Sequence, residues 1–142
     1  MNRMSEDECR EFMRAGTRTG KVATTRRDGR PHVTPAWFVL EGDELIFMTH
    51  ETSIRGRALQ TEPRVMISVD EEVFPYAFVH AEGVAHCDRL SPVELLPWSL
   101  RIAERYVPTD RAQSTGERNA VEGELLVRVD VTRWVGMRDV AA

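Results

Sequence analysis

The sequence predicts a mainly β domain with helical additions (α+β), its strands meandering into an antiparallel barrel. Three observations carry that reading. Seven short runs rich in apolar and β-branched residues recur at close spacing, as in a meander. Asp28-Gly29 joins two of them with a strong hairpin signal. Three stretches with helix-start chemistry interrupt the runs without alternating with them. At 142 residues, the chain reads as one domain spanning 1–142, large enough to bury a core.

In order, Ser5–Ala15 is a first helix. Ser5 and Glu8 form a capping box and Gly16 is a natural stop. Lys21–Arg27 is a strand, and after the hairpin turn a long return strand covers Arg30–Leu40. Pro31 and Pro35 cannot donate to a ladder, so these positions belong on an edge or at a bulge. Glu41-Gly42-Asp43 turns the chain into a third strand, Glu44–Met48. Ser53 then caps a short helix from Ile54 to Gln60. Pro63–Val69 and Phe78–Asp88 are the fourth and fifth strands, the latter with Gly83 as a bulge. Ser91-Pro92-Val93-Glu94 opens a long helix towards Val107, with Pro97 expected to kink it or to end its first turn. Asp110–Asn119 is a loose helix or loop. Glu124–Val131 and Arg133–Val140 close the chain as two strands or one bent one.

Composition excludes several classes. Nineteen basic and 23 acidic residues leave a net charge of −4, which argues against a nucleic-acid footprint. Cys9 and Cys87 are far apart and fall in no CxxC pattern, so neither a disulfide framework nor a zinc site is indicated. Four scattered histidines show no metal-ligand spacing, so no metal is expected; His80 and His86 share a strand face and read as surface or satisfied core. The charged start lacks an apolar signal core and no apolar run is long enough to span a bilayer, so a cytoplasmic protein without a membrane partner is expected. Glu104 and Arg105 read as the solvated face of the second long helix.

The stretch from Thr49 to Arg64 carries the most chemistry. Thr49, Thr52 and Ser53 offer hydroxyls beside the start of the short helix, where backbone N–H groups lack partners and the helix dipole is positive. Arg55 and Arg57 in that first turn oppose the dipole unless an anion meets them, which makes a phosphate site; the alternative is that both are solvated surface charges. No Ser-His-Asp or Cys-His arrangement stands out, and catalytic side chains remain unassigned.

The succession G-R-P-H-V-T-P-A-W-F-V-L-x-G-D-x-L-x-F-x-T (Gly29–Thr49), S-x-R-x-R-x-L (Ser53–Leu59) and E-P-R-V-x-I-S-V (Glu62–Val69) resembles the pyridoxamine 5′-phosphate oxidase-like split β-barrel flavoproteins, and within them the F420-dependent branch. The likeness runs from Gly20 to the G-E-L-L-V-R-V segment at Gly123–Val129. It implies a six-stranded Greek-key barrel of the FMN-binding split-barrel type, a homodimer, and a flavin-type cofactor in a groove between protomers. It places Thr49, Ser53 and Arg55 on the cofactor phosphate, with Arg55 where lysine is more usual and Arg57 nearby. It lays Thr34, Pro35, Ala36, Trp37 and Phe38 along the tricyclic ring, Trp37 being either a wall of that ring or a core aromatic. Tyr76, Phe78 and Trp134 are the residues expected from the partner protomer.

Departures from that family's name-giving enzymes are as informative. Where those have an arginine and a lysine in the ring-contacting strand, this chain has Thr34 and Val39; Thr132–Ala142 does not resemble their arginine-rich R-L-x-P ending. Oxidation of pyridoxamine phosphate is therefore not the expected reaction. The resemblance implies an oxidoreductase passing hydride from F420 to a small conjugated organic acceptor. FMN is the alternative cofactor, and a non-catalytic protein that binds or sequesters cofactor is the alternative from another class. F420 carries a negatively charged tail beyond its ring, and Arg55, Arg57, Arg64 and Lys21 are the cations expected to meet it.

Overall fold

The computed structural model describes every residue from Met1 to Ala142. Eight strands and four helices follow in the order β1 (Asn2–Arg3), α1 (Glu6–Arg14), β2 (Gly20–Thr25), β3 (Pro31–Ala36), β4 (Val39–Glu41), β5 (Glu44–His50), α2 (Ile54–Thr61), β6 (Arg64–Glu71), β7 (Ala77–Arg89), α3 (Pro92–Tyr106), α4 (Thr109–Asn119) and β8 (Glu124–Arg138). All strand pairs are antiparallel, along the path β3-β2-β6-β7-β8-β5-β4, with β1 added beside β8. The two ends of that path, β3 and β4, are joined only by Trp37 and Phe38. Three residues extended span no more than about 11 Å, so the sheet must curl until its ends nearly meet. That is a barrel closed by chain continuity instead of a ladder.

The class is the one expected, with eight strands in place of six. The two extra strands are the two-residue β1 and the short β4. The expected return strand Arg30–Leu40 breaks because Phe38 finds side-chain partners in place of a neighbouring strand. Its N–H donates to the Tyr106 hydroxyl at 3.3 Å, and its carbonyl accepts from Arg105 Nη1 at 2.7 Å. Pro31 and Pro35 lie on β3, an edge strand, where a missing donor is tolerated. Gly29 adopts φ +88° in the β2–β3 turn, a conformation that glycine tolerates best. The bulge falls at Glu82/Gly83, and the C-terminal segment is one long strand that pairs with β5 along its first half and with β7 along most of its length.

Capping decides the helix starts. Ser5–Glu8 and Ser91–Glu94 form reciprocal capping boxes, and the Ser53 hydroxyl accepts from the Gly56 N–H at 2.9 Å. The helix α3 runs through Pro97 unbroken, because the carbonyl left unbonded is that of Val93 in the exposed first turn. Residues 109–119 form a full helix, α4, docked on α3 where the Ser99 hydroxyl donates to the Gly116 carbonyl at 2.7 Å.

The alternation of β5 and β8 separates two apolar cores. Leu45, Phe47, Leu125, Val127 and Val129 point into the barrel with Phe38, Ile67, Val79 and Trp134. Ile46 and Leu126 point outwards, where Leu95 and Ala120 of the helical pair cover them. The helices therefore sit on the outer face of β5–β8 and leave space between themselves and the β3–β4 break. No helix is long and apolar enough to cross a membrane.

Candidate functional site

That space is a cavity of 420 Å³. Pro35, Ala36 and Trp37 form one wall at the end of β3, Arg55 reaches in from α2, and Thr19 and Met48 complete that side. The opposite wall comes from the C-terminal half: Ser99 and Ile102 of α3, Arg118 and Asn119 at the end of α4, and Glu124 at the start of β8.

Arg55 is the anchor of the site. Its Nε donates to Thr49 Oγ1 at 3.1 Å, and its Nη1 to Thr34 Oγ1 at 3.1 Å and to the Pro35 carbonyl at 3.2 Å. Its Nη2 donates to the Met48 carbonyl at 3.3 Å. All four acceptors are neutral, and no carboxylate pairs with it. Burial pushes its pKa below the ordinary arginine value, with distant Glu124 only partly opposing. The Phe47 ring lies 5.1 Å beneath the guanidinium. Arg55 is thus a fixed, partly buried cation with no carboxylate bonded to it.

The hydroxyls around it form a directed chain. Ser53 Oγ donates to the His50 carbonyl at 2.8 Å, so its single hydrogen is engaged; the 3.1 Å contact with Thr49 must then be donated by Thr49. Thr49 in turn accepts from Arg55. Thr34, Thr49, Ser53 and Arg55, apart by up to 21 positions in sequence, meet as one network.

The remaining sequence-nominated residues part company. Arg57 lies on the other side of α2: residues i and i+2 of a helix are about 200° apart. It lines a second groove with Arg26, Arg27 and Arg30 of the β2–β3 hairpin, so no single anion meets Arg55 and Arg57 together. Phe38 is 1% exposed and packs inside the barrel, so its side chain does not line the cavity. Trp37 does line it, stacked on Tyr106 with ring centroids 5.3 Å apart and planes 4° from parallel. Trp134 is buried in its own barrel, donating Nε1–H to Asp43 at 3.0 Å, and cannot reach out to a partner. Lys21 and Arg64, expected to meet a charged tail, pair with Asp70 and Glu62.

Sequence reading missed the C-terminal wall. Arg105, expected in solvent, donates to the carbonyls of Phe38, Met13 and Gly16 at 2.7, 2.7 and 3.1 Å and lies 4.6 Å from the Phe38 ring centre. The Tyr106 hydroxyl donates to the Arg18 carbonyl at 2.9 Å while accepting from Phe38 N–H. The last turn of α3 thus buckles the strand break in place. Glu124 has no side-chain partner, and burial raises its carboxyl pKa despite Arg55 and His50. The carbonyls Arg105 reaches lie 67 to 92 positions away in other elements, so nothing local announced it, and nothing local announced Glu124.

Several solved structures share the fold. A conserved hypothetical protein from Mycobacterium tuberculosis is 27% identical over 98% of this chain and 89% of its own, with a TM-score of 0.79. A protein named F420 reductase is 23% identical over 87% of this chain and 94% of its own, TM-score 0.70. An FAD-binding protein from Mycobacterium smegmatis is 22% identical over 96% and 97%, TM-score 0.67. Among curated protein sequences there is no match. The model of the family described as pyridoxamine 5′-phosphate oxidase matches residues 5–134, nearly the whole chain, and the fold is the split barrel expected of it, so this chain belongs to that family.

Proposed function

We propose that the protein is an oxidoreductase that binds a flavin-type cofactor, F420 in preference to FMN, and passes hydride from it to a small conjugated organic acceptor. The observation that carries this is Arg55: a cation held by four neutral acceptors on a cavity wall, with no carboxylate partner. A phosphate fits that arrangement, since one charge-assisted contact in a partly buried site compensates the charge burial leaves exposed. Thr34, Thr49 and Ser53 fix the guanidinium, and Pro35, Ala36 and Trp37 offer a flat wall for a conjugated ring. When bound, the cofactor would supply the hydride; the chain supplies orientation, charge and exclusion of water.

Fold neighbours named as an F420 reductase and an FAD-binding protein support the flavin-type class. The preference for F420 rests on the second groove, where Arg26, Arg27 and Arg57 line the face of α2 away from Arg55 and bond to no carboxylate. A charged tail passing over α2 would meet those cations, whereas FMN has no use for them. Titration of the purified protein with each cofactor at matched salt tests the choice. Micromolar binding of FMN with none of F420 would end the F420 assignment, and binding of either without turnover on enones or quinones would leave a cofactor-sequestering protein.

A homodimer belongs to the same proposal. Phe38 is buried and demands no partner, while Trp37, stacked on Tyr106, remains 36% exposed. Val33 on the edge strand and Phe74 before β7 are 62% and 68% exposed, however, and Tyr76 beside Phe74 adds to the apolar surface. Light scattering at micromolar concentration should give twice the monomer mass; a monomer that still binds cofactor would exclude the pairing.

A further inference from the structure

Two oppositely charged, partly buried side chains face the same cavity without touching. Arg55 is tied to Thr34, Thr49, Pro35 and Met48, on the β3–β5 side. Glu124 stands across from His50 on the β5–β8 ladder, on the outer face that also carries Met48, and its carboxylate receives no hydrogen bond. It is the sole acidic residue lining the cavity. A carboxylate is acceptor-only when ionised, and half-burying it with no protein donor is unfavourable. A direct ion pair between Arg55 and Glu124 would relieve both groups, yet four hydrogen bonds hold the guanidinium away from it.

We propose that Glu124 is a ligand-facing acceptor, receiving a hydroxyl or N–H of a polyol phosphate whose anionic end lies on Arg55. This rests on the assignment of an anion to Arg55 made above and adds the second contact. The cavity then discriminates by two points: an anion at one end and hydrogen-bond donors along the adjoining chain. A bare anion gains only the cations on the walls, Arg55 and Arg118, and is repelled by Glu124. Arg118, at the end of α4 on the same wall, His50 beside Gly123, and Glu51, Arg89 and Glu122, which line a neighbouring groove with Glu124, are the other charged or titratable groups around it.

The consequence is a change of opposite sign for two probes. Calorimetric titration of the intact protein with inorganic phosphate and with ribitol 5-phosphate compares wild type, Glu124→Ala and Glu124→Gln. Glu124→Ala should bind phosphate about two- to tenfold more tightly, since a like charge is gone. It should bind ribitol 5-phosphate about tenfold or more weakly, since a charge-assisted contact is gone. Glu124→Gln should show the same gain for phosphate with a smaller loss for the polyol, because its amide oxygen still accepts. If both probes tighten, Glu124 is only a repulsive neighbour. If neither changes, it does not face the ligand; if both weaken together with the melting temperature, it is structural. Each of those results overturns the proposal, as does failure of the wild type to bind ribitol 5-phosphate at all. Arg55→Gln, tested alongside, reports on the anion assignment itself. Failure of both FMN and F420 to bind, with the opposite signs intact, would remove the cofactor identity and leave the role of Glu124 standing.

Discussion

Replacing Arg105 with Met tests how the barrel break is maintained. The substitution keeps most of the side-chain stem and deletes three donors to the carbonyls of Phe38, Met13 and Gly16. The Gly16 contact lies at an exposed turn and water replaces it readily. The two at 2.7 Å serve residues whose side chains are 1% and 0% exposed. Bonds to a charged donor contribute about 1.5–3 kcal/mol each, so two give about 3–6 kcal/mol. Relief from holding an unpaired cation partly out of water offsets some of this, leaving an expected net loss of about 2–4 kcal/mol. In a chain of this length that lowers Tm by roughly 6–14 °C, and the urea midpoint by about 1–2 M. Calorimetry and urea titration of the apo protein read both. Tyr106→Phe should interact with it, since the two side chains grip the N–H and C=O of the same residue; a double-mutant cycle should give a coupling of at least about 0.5 kcal/mol. A loss under about 1 kcal/mol for Arg105→Met, or strict additivity, would show that the break orders itself without α3.

Three further outcomes follow from the geometry. Arg55→Ala should weaken cofactor phosphate binding by about tenfold to a hundredfold while changing apo stability by no more than about 1 kcal/mol, because lost hydrogen bonds and relieved charge oppose each other; Arg55→Lys should recover part of the affinity, and an unfolded apo variant would make Arg55 structural. Gly56→Ala, normally stabilising in a helix by about 1 kcal/mol, should instead destabilise by more than that, since its Cβ would lie 2.1 Å from the His50 carbonyl oxygen, a backbone atom unable to retreat; a raised melting temperature would contradict it. The Asp43 carboxyl is held below its ordinary pKa by Arg10 and by Trp134 Nε1–H, so its contribution to stability is present above the unfolded-state pKa and is lost as pH falls through the folded value; acid titration of stability should flatten in Asp43→Asn, and unchanged curvature would refute the linkage.

What the sequence made legible is what chemistry within a few residues decides. Ser5, Ser53 and Ser91 announced helix starts, Asp28-Gly29 a hairpin, and the two prolines an edge, because each acts on its own backbone or that of near neighbours. The hydrogen-bond network of Thr49, Ser53 and Arg55 was legible in the same way, since these residues lie within one strand end and one helical turn. Arg57 was misplaced by treating the first turn as a single face, where helical periodicity sends i and i+2 to opposite sides. The break at Trp37–Phe38 was invisible because its cause lies 67 and 68 residues away, in Arg105 and Tyr106. Trp134 misled for the opposite reason: a large aromatic near the end of the chain suits an exposed wall as well as a core, and only the Asp43 acceptor across the sheet decides between them.

The two walls of the cavity therefore differ in how tightly the fold constrains them. The wall made by β3, β5 and α2 is backbone, hydroxyls and a guanidinium locked by four hydrogen bonds, and most changes there disturb strand pairing or the start of α2. The wall made by α3, α4 and the start of β8 carries Ile102, Arg118, Asn119 and Glu124 on a helical pair packed against the outside of the sheet by a small core of Ile46, Leu95, Ala120 and Leu126. Substitutions at 118, 119 and 124 leave both apolar cores untouched, so their effect on stability is expected within about 0.5–1 kcal/mol while their effect on what the cavity accepts is direct. One wall is thus fixed by the fold while the other can change at little cost, so what the cavity accepts is set more freely at positions 118, 119 and 124 than at 55.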